Sequence, residues 1–450
     1  MNHLSLSLSF QQARIALPRP YSVKQLIIYV FSASFLMTCV IGAAYAQSSS
    51  HTTPASQVYG LQAVMKDLPQ SWGLAYSPDN QLFITHRLGN FSILSLEQED
   101  LQQVLMADIS SQDEASALQT VNSPVISVRF LPDDLLVGGQ GGLLDLSFHP
   151  DYLNNGWIYL SYSAGTEQSN ALKVVRFKLV DNEVAQLEPV FEVANKKDTP
   201  VHYGGRLAFD SEHSLYITTG DGFDYREKAQ LKHNQMGKTI RVTDTGEAHP
   251  ANPFYNGPDA PESFVFSYGH RNPQGLVITD TDVVIGHEHG PAGGDEINFL
   301  HAGDNYGWPV ITNGKDYIGA TISPFTEYEG MKQPNLDWTP SIAPSGMVLY
   351  QGEKFDALKG HLLITSLKFL QIYAVPLFYD GDIGADIDAN IDTNTDANNT
   401  EKIEPTLGKD FTILREPDTR LRDIESDPEG RIWVLGDGQP ATLFMLVTLH

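Results

Sequence analysis

The stretch LAFDSEHSLYI, residues 207–217, decides the fold. An apolar run ends at Phe209, a polar turn covers Asp210 to Ser214, and the alternating Leu215 and Ile217 begin a second apolar run. That is the signature of two short strands joined by a turn. The unit recurs at Trp72 to Thr85, Leu144 to Leu160, Leu276 to Ile285, Met347 to Ile364 and Ile424 to Val434, six occurrences in all. A spacing of roughly 60 to 80 residues suits propeller blades that carry long loops. No long stretch shows the 3.6-residue period of a helix. The expected fold is all-β: a six-bladed β-propeller with four-stranded antiparallel blades, whose sheets bury their faces against one another. A two-sheet sandwich is the alternative, but it would be strained by this many strands. On a propeller, function sits on the loops at one end of the central channel.

With 450 residues, 41% of them hydrophobic, the chain can bury a large core. Lys and Arg number 29 against 55 Asp and Glu, a net charge of −26 that repels phosphate backbones and anionic lipid. No nucleic-acid partner is expected, although a local basic pocket remains open. At the start, Arg14, Arg19 and Lys24 precede an apolar run from Leu26 to Ala44, and Ala44-Tyr45-Ala46 before Gln47 has the form cut by signal peptidase. Residues 1–46 are therefore expected to be a signal peptide and 47–450 a single propeller domain. Its compartment would be periplasmic or secreted, with no integral membrane association after cleavage. An uncleaved anchor is the alternative; a lipidated Cys39 is disfavoured by Thr38. Cys39 is the sole cysteine, so a chain cut at Gln47 would have no thiol.

From Tyr379 to Asn399 the sequence is mostly Asp, Asn, Ala, Thr and Gly, and it is read as a solvated loop insertion. Its Asp residues lack the ordered ligand spacing and closing Glu of a calcium loop. Gly138 to Gly142 is glycine-rich but matches neither a phosphate loop nor a dinucleotide fingerprint. His287-Glu288-His289 is not a zinc-protease helix, and there is no Gly-x-Ser-x-Gly elbow.

What remains are loops dense in glycine and polar residues: GGQGGLLDLSFHPDY (138–152), HYGGRLAFD (202–210), SYGHRNPQG (267–275), HEHGPAGGDEINFLHAGDNYGWP (287–309), PSIAPSG (340–346), SLK (366–368) and RLRD (420–423). In these segments, taken in order over nearly all of the chain beyond residue 46, the sequence resembles the soluble quinoprotein glucose and aldose sugar dehydrogenases of the glucose/sorbosone dehydrogenase family. The family consists of six-bladed propellers that use pyrroloquinoline quinone (PQQ) and calcium.

The resemblance implies roles for particular residues. His202 stands at the place of the catalytic base, a task that suits an imidazole. Without the family it would be an ordinary loop histidine. Val201 occupies a position that is acidic in the glucose dehydrogenase branch, so a carboxylate partner for His202 is missing there or comes from elsewhere. Arg271 and Asn272 match residues that hydrogen-bond the quinone oxygens, and Arg271 would also stabilise developing charge. Gln140 matches an amide beside substrate and cofactor, and Ser341 a small hydroxyl residue near the cofactor. Lys368, Arg420 and Arg422 match carboxylate-binding positions; alternation in Arg-Leu-Arg would send both guanidinium groups to one face of a strand. Arg420 and Arg422 could equally be ordinary salt-bridge partners. Gly290 and Pro291 match a dipeptide whose carbonyls bind Ca²⁺, an ion that takes oxygen ligands. His289 and the stretch Ala292 to Gly294 depart from the glucose branch toward the aldose branch. Asp295 and Glu296 suit either a second calcium site or loop hydrogen bonds; Trp338 and Tyr306 suit either pocket walls or core.

The activity so implied is oxidation of aldose sugars at the anomeric C1 hydroxyl to lactones, with electrons passing from the quinone to an unidentified acceptor. Two alternatives stay open. One is a non-catalytic extracellular propeller that binds glycans or proteins; the other is a quinoprotein for another donor, such as sorbosone or a polyol.

Overall fold

Each of the six apolar units folds into the first hairpin of a blade, because a strand with one face on the neighbouring sheet needs apolar side chains at alternate positions. The computed structural model describes residues 58–96, 125–379, 405–414 and 418–449. The expected signal at 1–46 lies outside the described residues, as does all but Tyr379 of the expected insertion. Among the described residues no helix is long and apolar enough to cross a membrane.

Blade 1 runs Ser71–Ser77, Gln81–His86, Asn90–Ser95 and Ile126–Arg129. Blade 2 is Leu143–Phe148, Ile158–Thr166, Ser169–Val180 and Glu183–Glu192; blade 3 is Gly204–Phe209, Leu215–Thr219, Lys238–Val242 and Val265–Tyr268. Blade 4 is Pro273–Ile278, Val284–Glu288, Asp295–Phe299 and Leu336–Trp338. In blade 5, Pro344–Tyr350, His361–Ser366 and Ile372–Phe378 are edged by two short pieces, Thr406–Leu407 and Phe411–Thr412. Blade 6 takes three strands from the end of the chain, Leu421–Ser426, Ile432–Gly436 and Ala441–Leu449, and its outermost strand, Val58–Leu68, from the beginning. The register of that closure runs from Val58 opposite Leu449 to Leu68 opposite Ala441. The first strands of successive blades adjoin one another around the axis, and blade 6 meets blade 1 to complete the six-bladed propeller. Apolar side chains between neighbouring blades form the core, as where Trp433 and Leu435 of blade 6 pack with Leu82 and Ile84 of blade 1.

Near the start of every blade the pairing of its first two strands slips, for example between Gly204 and Leu207 and between Leu421 and Asp423. The slip bends the strand and re-aims one side chain toward the axis. On three blades that residue is charged: Asp145, Arg206 and Asp423. The Arg206 guanidinium bonds Asp145 Oδ1 at 3.2 Å and Asp423 Oδ1 at 2.9 Å. It also donates to the carbonyls of Gln274 at 2.7 Å and Ser345 at 2.9 Å, and its carbon lies 4.4 Å from the ring centroid of Trp72. At the equivalent place on blade 5, Gly346 leaves room for this group: a Cβ there would stand 2.2 Å from Asp423 Oδ1.

Removing one member of a buried ion network leaves the others uncompensated, at about 3–5 kcal/mol. Arg206→Met is therefore expected to lower the unfolding free energy by about that amount, read by denaturant titration. A loss below about 1 kcal/mol, the range of an exposed pair, would contradict the assignment.

Candidate active site

All the candidate residues precede or flank the slip on the first strand of a blade, or lie on loops at that same end of the channel. A cavity of ≈ 330 Å³ is lined by residues such as Leu146, Arg206, Met347 and Ile424, and none of the candidate residues borders it.

His202 closes a turn ahead of Gly204–Phe209 and has φ 52, in the left-handed region. Its ring is buried, and Nδ1 lies 2.7 Å from Asp221 Oδ1. An ionised carboxylate only accepts, so Nδ1 carries the proton and Nε2 keeps its lone pair. Burial, and then the neighbouring Arg271 charge, push the imidazole down to about 4 despite Asp221. Burial opposes ionisation of Asp221, yet His202 and Arg271 outweigh it and hold that carboxyl below its ordinary value. Its other oxygen accepts from Trp308 Nε1 at 2.7 Å, and the Phe223 amide adds a third bond, also at 2.7 Å. The partner absent from position 201 is thus supplied by the loop after Leu215–Thr219.

Gln140 sits on the glycine-rich loop, with Oε1 accepting from the His202 amide at 2.8 Å. The glycines of that loop serve close approach: at Gly139, with φ 54, a Cβ would lie 2.3 Å from the Pro200 carbonyl. Arg87 pins the same loop by donating to the carbonyls of Gly139 and Gly141, each at 2.6 Å. Arg271 is buried; its guanidinium donates to the carbonyls of His289 at 3.0 Å and Gly290 at 2.7 Å, and contacts the Tyr317 hydroxyl at 3.3 Å. Its carbonyl takes the Asp221 amide and its amide bonds Glu288, which ties the base and the arginine into one backbone network. Asn272 Oδ1 accepts from the Gly204 amide at 3.3 Å.

Asp295 organises the next segment. One oxygen accepts from the Gly290 amide at 2.9 Å; the other accepts from Ser341 Oγ at 2.6 Å and the Ala343 amide at 2.8 Å. It is fully buried, and its hydrogen bonds fit the loop-stabilising reading. Among the described residues no group of three or more His, Cys, Asp or Glu side chains could hold a metal. The Ser341 carbonyl accepts from Lys368 Nζ at 2.9 Å. Hydrogen bonds thus run without a break from Gln140 through His202, Asp221, Arg271, Gly290, Asp295 and Ser341 to Lys368. Arg422 joins through Gln274, whose Oε1 it meets at 2.8 Å, and it lies 4.5 Å from the Trp72 ring centroid, the same ring Arg206 meets. Arg420 pairs with Asp437 at 2.9 Å, and the field of Asp437 also reaches Arg422 and Arg87. The two arginines of Arg-Leu-Arg therefore have separate partners: Arg420 stands ahead of the strand, and the slip beginning at Leu421 interrupts the alternation. Trp338 and Tyr306 are both buried, Trp338 bonded to Asp410 and Tyr306 stacked on His270.

The charges show an imbalance. Among the described residues the Lys368 ammonium and the Arg271 guanidinium donate only to neutral oxygens, and the Arg422 guanidinium to a side-chain amide and a carbonyl, in a chain where acids outnumber bases 55 to 29. Cations held off carboxylates at one mouth form a place for an anionic ligand.

Sequence reasoning missed Asp221, Trp308 and Arg87, whereas for Asp295 it offered the loop-stabilising role beside a calcium site. For Asp221 the one available signal was Gly-Asp-Gly directly after an apolar strand.

Fold and site together define a class: a six-bladed propeller whose channel mouth sets a neutral, carboxylate-oriented imidazole beside cations open to an anion. The sequence profile described as Glucose / Sorbosone dehydrogenase matches residues 68–445. The chain is 32% identical to the aldose sugar dehydrogenase of Escherichia coli (strain K12), over 86% of this chain and 93% of that one. It is 28% identical to quinoprotein glucose dehydrogenase B of Acinetobacter calcoaceticus, over 85% and 86%. The crystal structure of the soluble Escherichia coli aldose sugar dehydrogenase in its apo form superposes with a TM-score of 0.70 at 30% identity, covering 86% of this chain and 99% of that one. This chain belongs to the glucose/sorbosone dehydrogenase family.

Asp295→Ala would strip three donors, one buried and two partly buried, of a carboxylate acceptor. Hydrogen bonds to charged groups contribute about 1.5–3 kcal/mol each and are only partly additive, so a loss of at least 3 kcal/mol is expected in denaturant unfolding. A change under 1 kcal/mol would show that the loop does not depend on this carboxylate.

Proposed function

We propose that this protein is a PQQ- and calcium-dependent dehydrogenase that oxidises aldose sugars at the anomeric C1 hydroxyl to lactones. The observation that carries the reading is Arg271, a buried cation beside the buried imidazole of His202 whose guanidinium meets only carbonyls and a hydroxyl among the described residues, with Lys368 and Arg422 linked to it through hydrogen bonds. A flat tricarboxylate answers that charge, and at about 4 Å one opposite pair gains on the order of 4 kcal/mol at an effective dielectric of 20. Gln140, Arg271, Asn272, Ser341, Lys368, Arg420 and Arg422 would hold PQQ. Gly290 and Pro291 would hold Ca²⁺ through their carbonyls. The Gly290 oxygen accepts a hydrogen bond from the Arg271 guanidinium, which engages one of its two lone pairs and leaves the other, and carbonyl oxygens are ligands this ion takes. When bound, PQQ polarised by the ion supplies the electrophilic centre that accepts the C1 hydride.

The rest is the work of the chain. His202 Nε2, its tautomer fixed by Asp221, takes the proton of the C1 hydroxyl as the C1–H bond breaks and the C1–O bond becomes a carbonyl. Asp221 then stabilises the imidazolium. Arg271 places fixed positive charge where negative charge develops. The two electrons pass on to an acceptor outside the protein. Export to the periplasm or beyond the cell follows from reading residues 1–46 as a cleaved signal, and N-terminal sequencing of the native protein tests it.

Adding Ca²⁺ and PQQ to purified protein and then aldoses is expected to change the quinone absorbance; silence across a panel of aldoses overturns the reading. Activity confined to sorbosone or polyols would instead shift the donor class. His202→Asn is expected to lower kcat by about 10²–10⁴-fold with PQQ affinity retained, whereas Lys368→Ala and Arg422→Ala should weaken PQQ binding first.

The imidazole of His202 titrates lower in the folded chain than its ordinary 6.5, so it is an available base above about 4 and loses that role only as pH falls through that value. The acid limb of kcat/KM should therefore lie well below 6.5. A limb at 6.5 would assign the base to an unperturbed histidine.

A further inference from the structure

His202 holds a backbone conformation that L-residues adopt at a cost of about 1–3 kcal/mol, so something must impose it. Its preceding peptide, Val201–His202, is gripped on both sides. The N–H donates to Gln140 Oε1 at 2.8 Å. The C=O accepts from Lys197 Nζ at 2.7 Å, and the same ammonium donates to the Thr199 carbonyl at 2.5 Å. Lys197 is 5% exposed, and its ammonium also lies 3.6 Å from the ring centroid of Tyr203, so two carbonyls and an aromatic face, on residues 199–203, surround it. The backbone of Lys197 is itself fixed, donating to and accepting from Asn170 at 2.9 and 2.8 Å, and the Tyr203 hydroxyl donates to the Asn170 side chain at 2.8 Å.

We propose that Lys197 is a positioning residue for the histidine base: its ammonium clamps the Val201 carbonyl, fixes the plane of the Val201–His202 peptide, and so aims the imidazole at Asp221. The lysine is buried, with its ammonium on the Thr199 and Val201 carbonyls and the Tyr203 ring, and its proposed action is only through His202. Its burial is costly for a cation and pushes its amine down to about 7, while Asp221 and Asp198 work in the opposite direction. An apolar residue would avoid that desolvation but would leave both carbonyls without their donor. The sequence signal is slight: one lysine of the Asn-Lys-Lys-Asp run, five residues ahead of the histidine.

The inference rests on His202 being the base, so the test separates the two. Lys197→Met keeps the stem and removes the donors. Misplacement of a reacting group by about 1 Å costs on the order of 10²-fold. Lys197→Met is therefore expected to lower kcat by about 10- to 100-fold, with KM and PQQ affinity within about twofold. In a His202→Asn background the same substitution should slow turnover no further. In protein free of PQQ, the ¹⁵N signals of the His202 ring should change from one Nδ1–H tautomer to a mixture.

Unchanged kcat and ring signals in Lys197→Met overturn the clamp, as does a loss that adds fully to that of His202→Asn. If His202→Asn turns over normally, the base assignment falls, and the ring signals still decide whether Lys197 orients the imidazole. Should Lys197→Met fail to fold, Lys197→Gln, which retains a shorter buried donor, is read by the same two measurements.

Discussion

A single guanidinium holds the axis. Arg206 starts from blade 3 and meets Asp145 of blade 2, Asp423 of blade 6, backbone carbonyls at the inner edges of blades 4 and 5, and the ring of Trp72 on blade 1. A buried cation is tolerable only when its donors are met and its charge is answered, and here every other blade contributes to that. The relative placement of the blades is thereby fixed at the one point they all share. The consequence for the site is direct, since loops at the same end of six blades can form one constellation only if the blades keep their angular positions.

The constellation itself is assembled from short loops that are each pinned by a neighbour. The glycine-rich loop bearing Gln140 hangs from Arg87, the turn bearing His202 rests on Lys197, and the Gly290 segment is gathered by Asp295. Among the described residues the Arg271, Lys368 and Arg422 side chains bond neutral carbonyls, amides and a hydroxyl, so these three cations are oriented without a carboxylate partner, unlike Arg420, which pairs with Asp437. Net acidity elsewhere on the chain does not contradict this arrangement. Screened charge at a distance is weak beside a few groups in contact.

The first hairpin of each blade was legible because its inward side chains are apolar and its turn is polar, a strictly local signal. Val58–Leu68 was not, since its partner lies at Ala441–Leu449 and nothing in either segment announces the other. His202 and Arg271 were reached through motif resemblance. Asp221 was not, because a carboxylate that belongs to the base is defined by a 2.7 Å approach across two loops and not by spacing along one. The Arg-Leu-Arg alternation implied a shared face, and a slip in strand pairing, which no residue pattern reveals, gave the two arginines different surroundings. Buried aromatic residues such as Trp338 and Tyr306 carry no mark that separates wall from core until their polar atoms are seen to be satisfied inside the protein.

The last blade borrows its outer strand from the beginning of the chain. Because Val58 must wait for Leu449, the ring stays an open arc until Ala441–Leu449 has been made, with unpaired edges at both ends. So long a sequence separation between paired strands makes ring closure the last step of the propeller, and any nascent chain that stalls before the nine-residue strand Ala441–Leu449 presents a ready template for pairing with another copy.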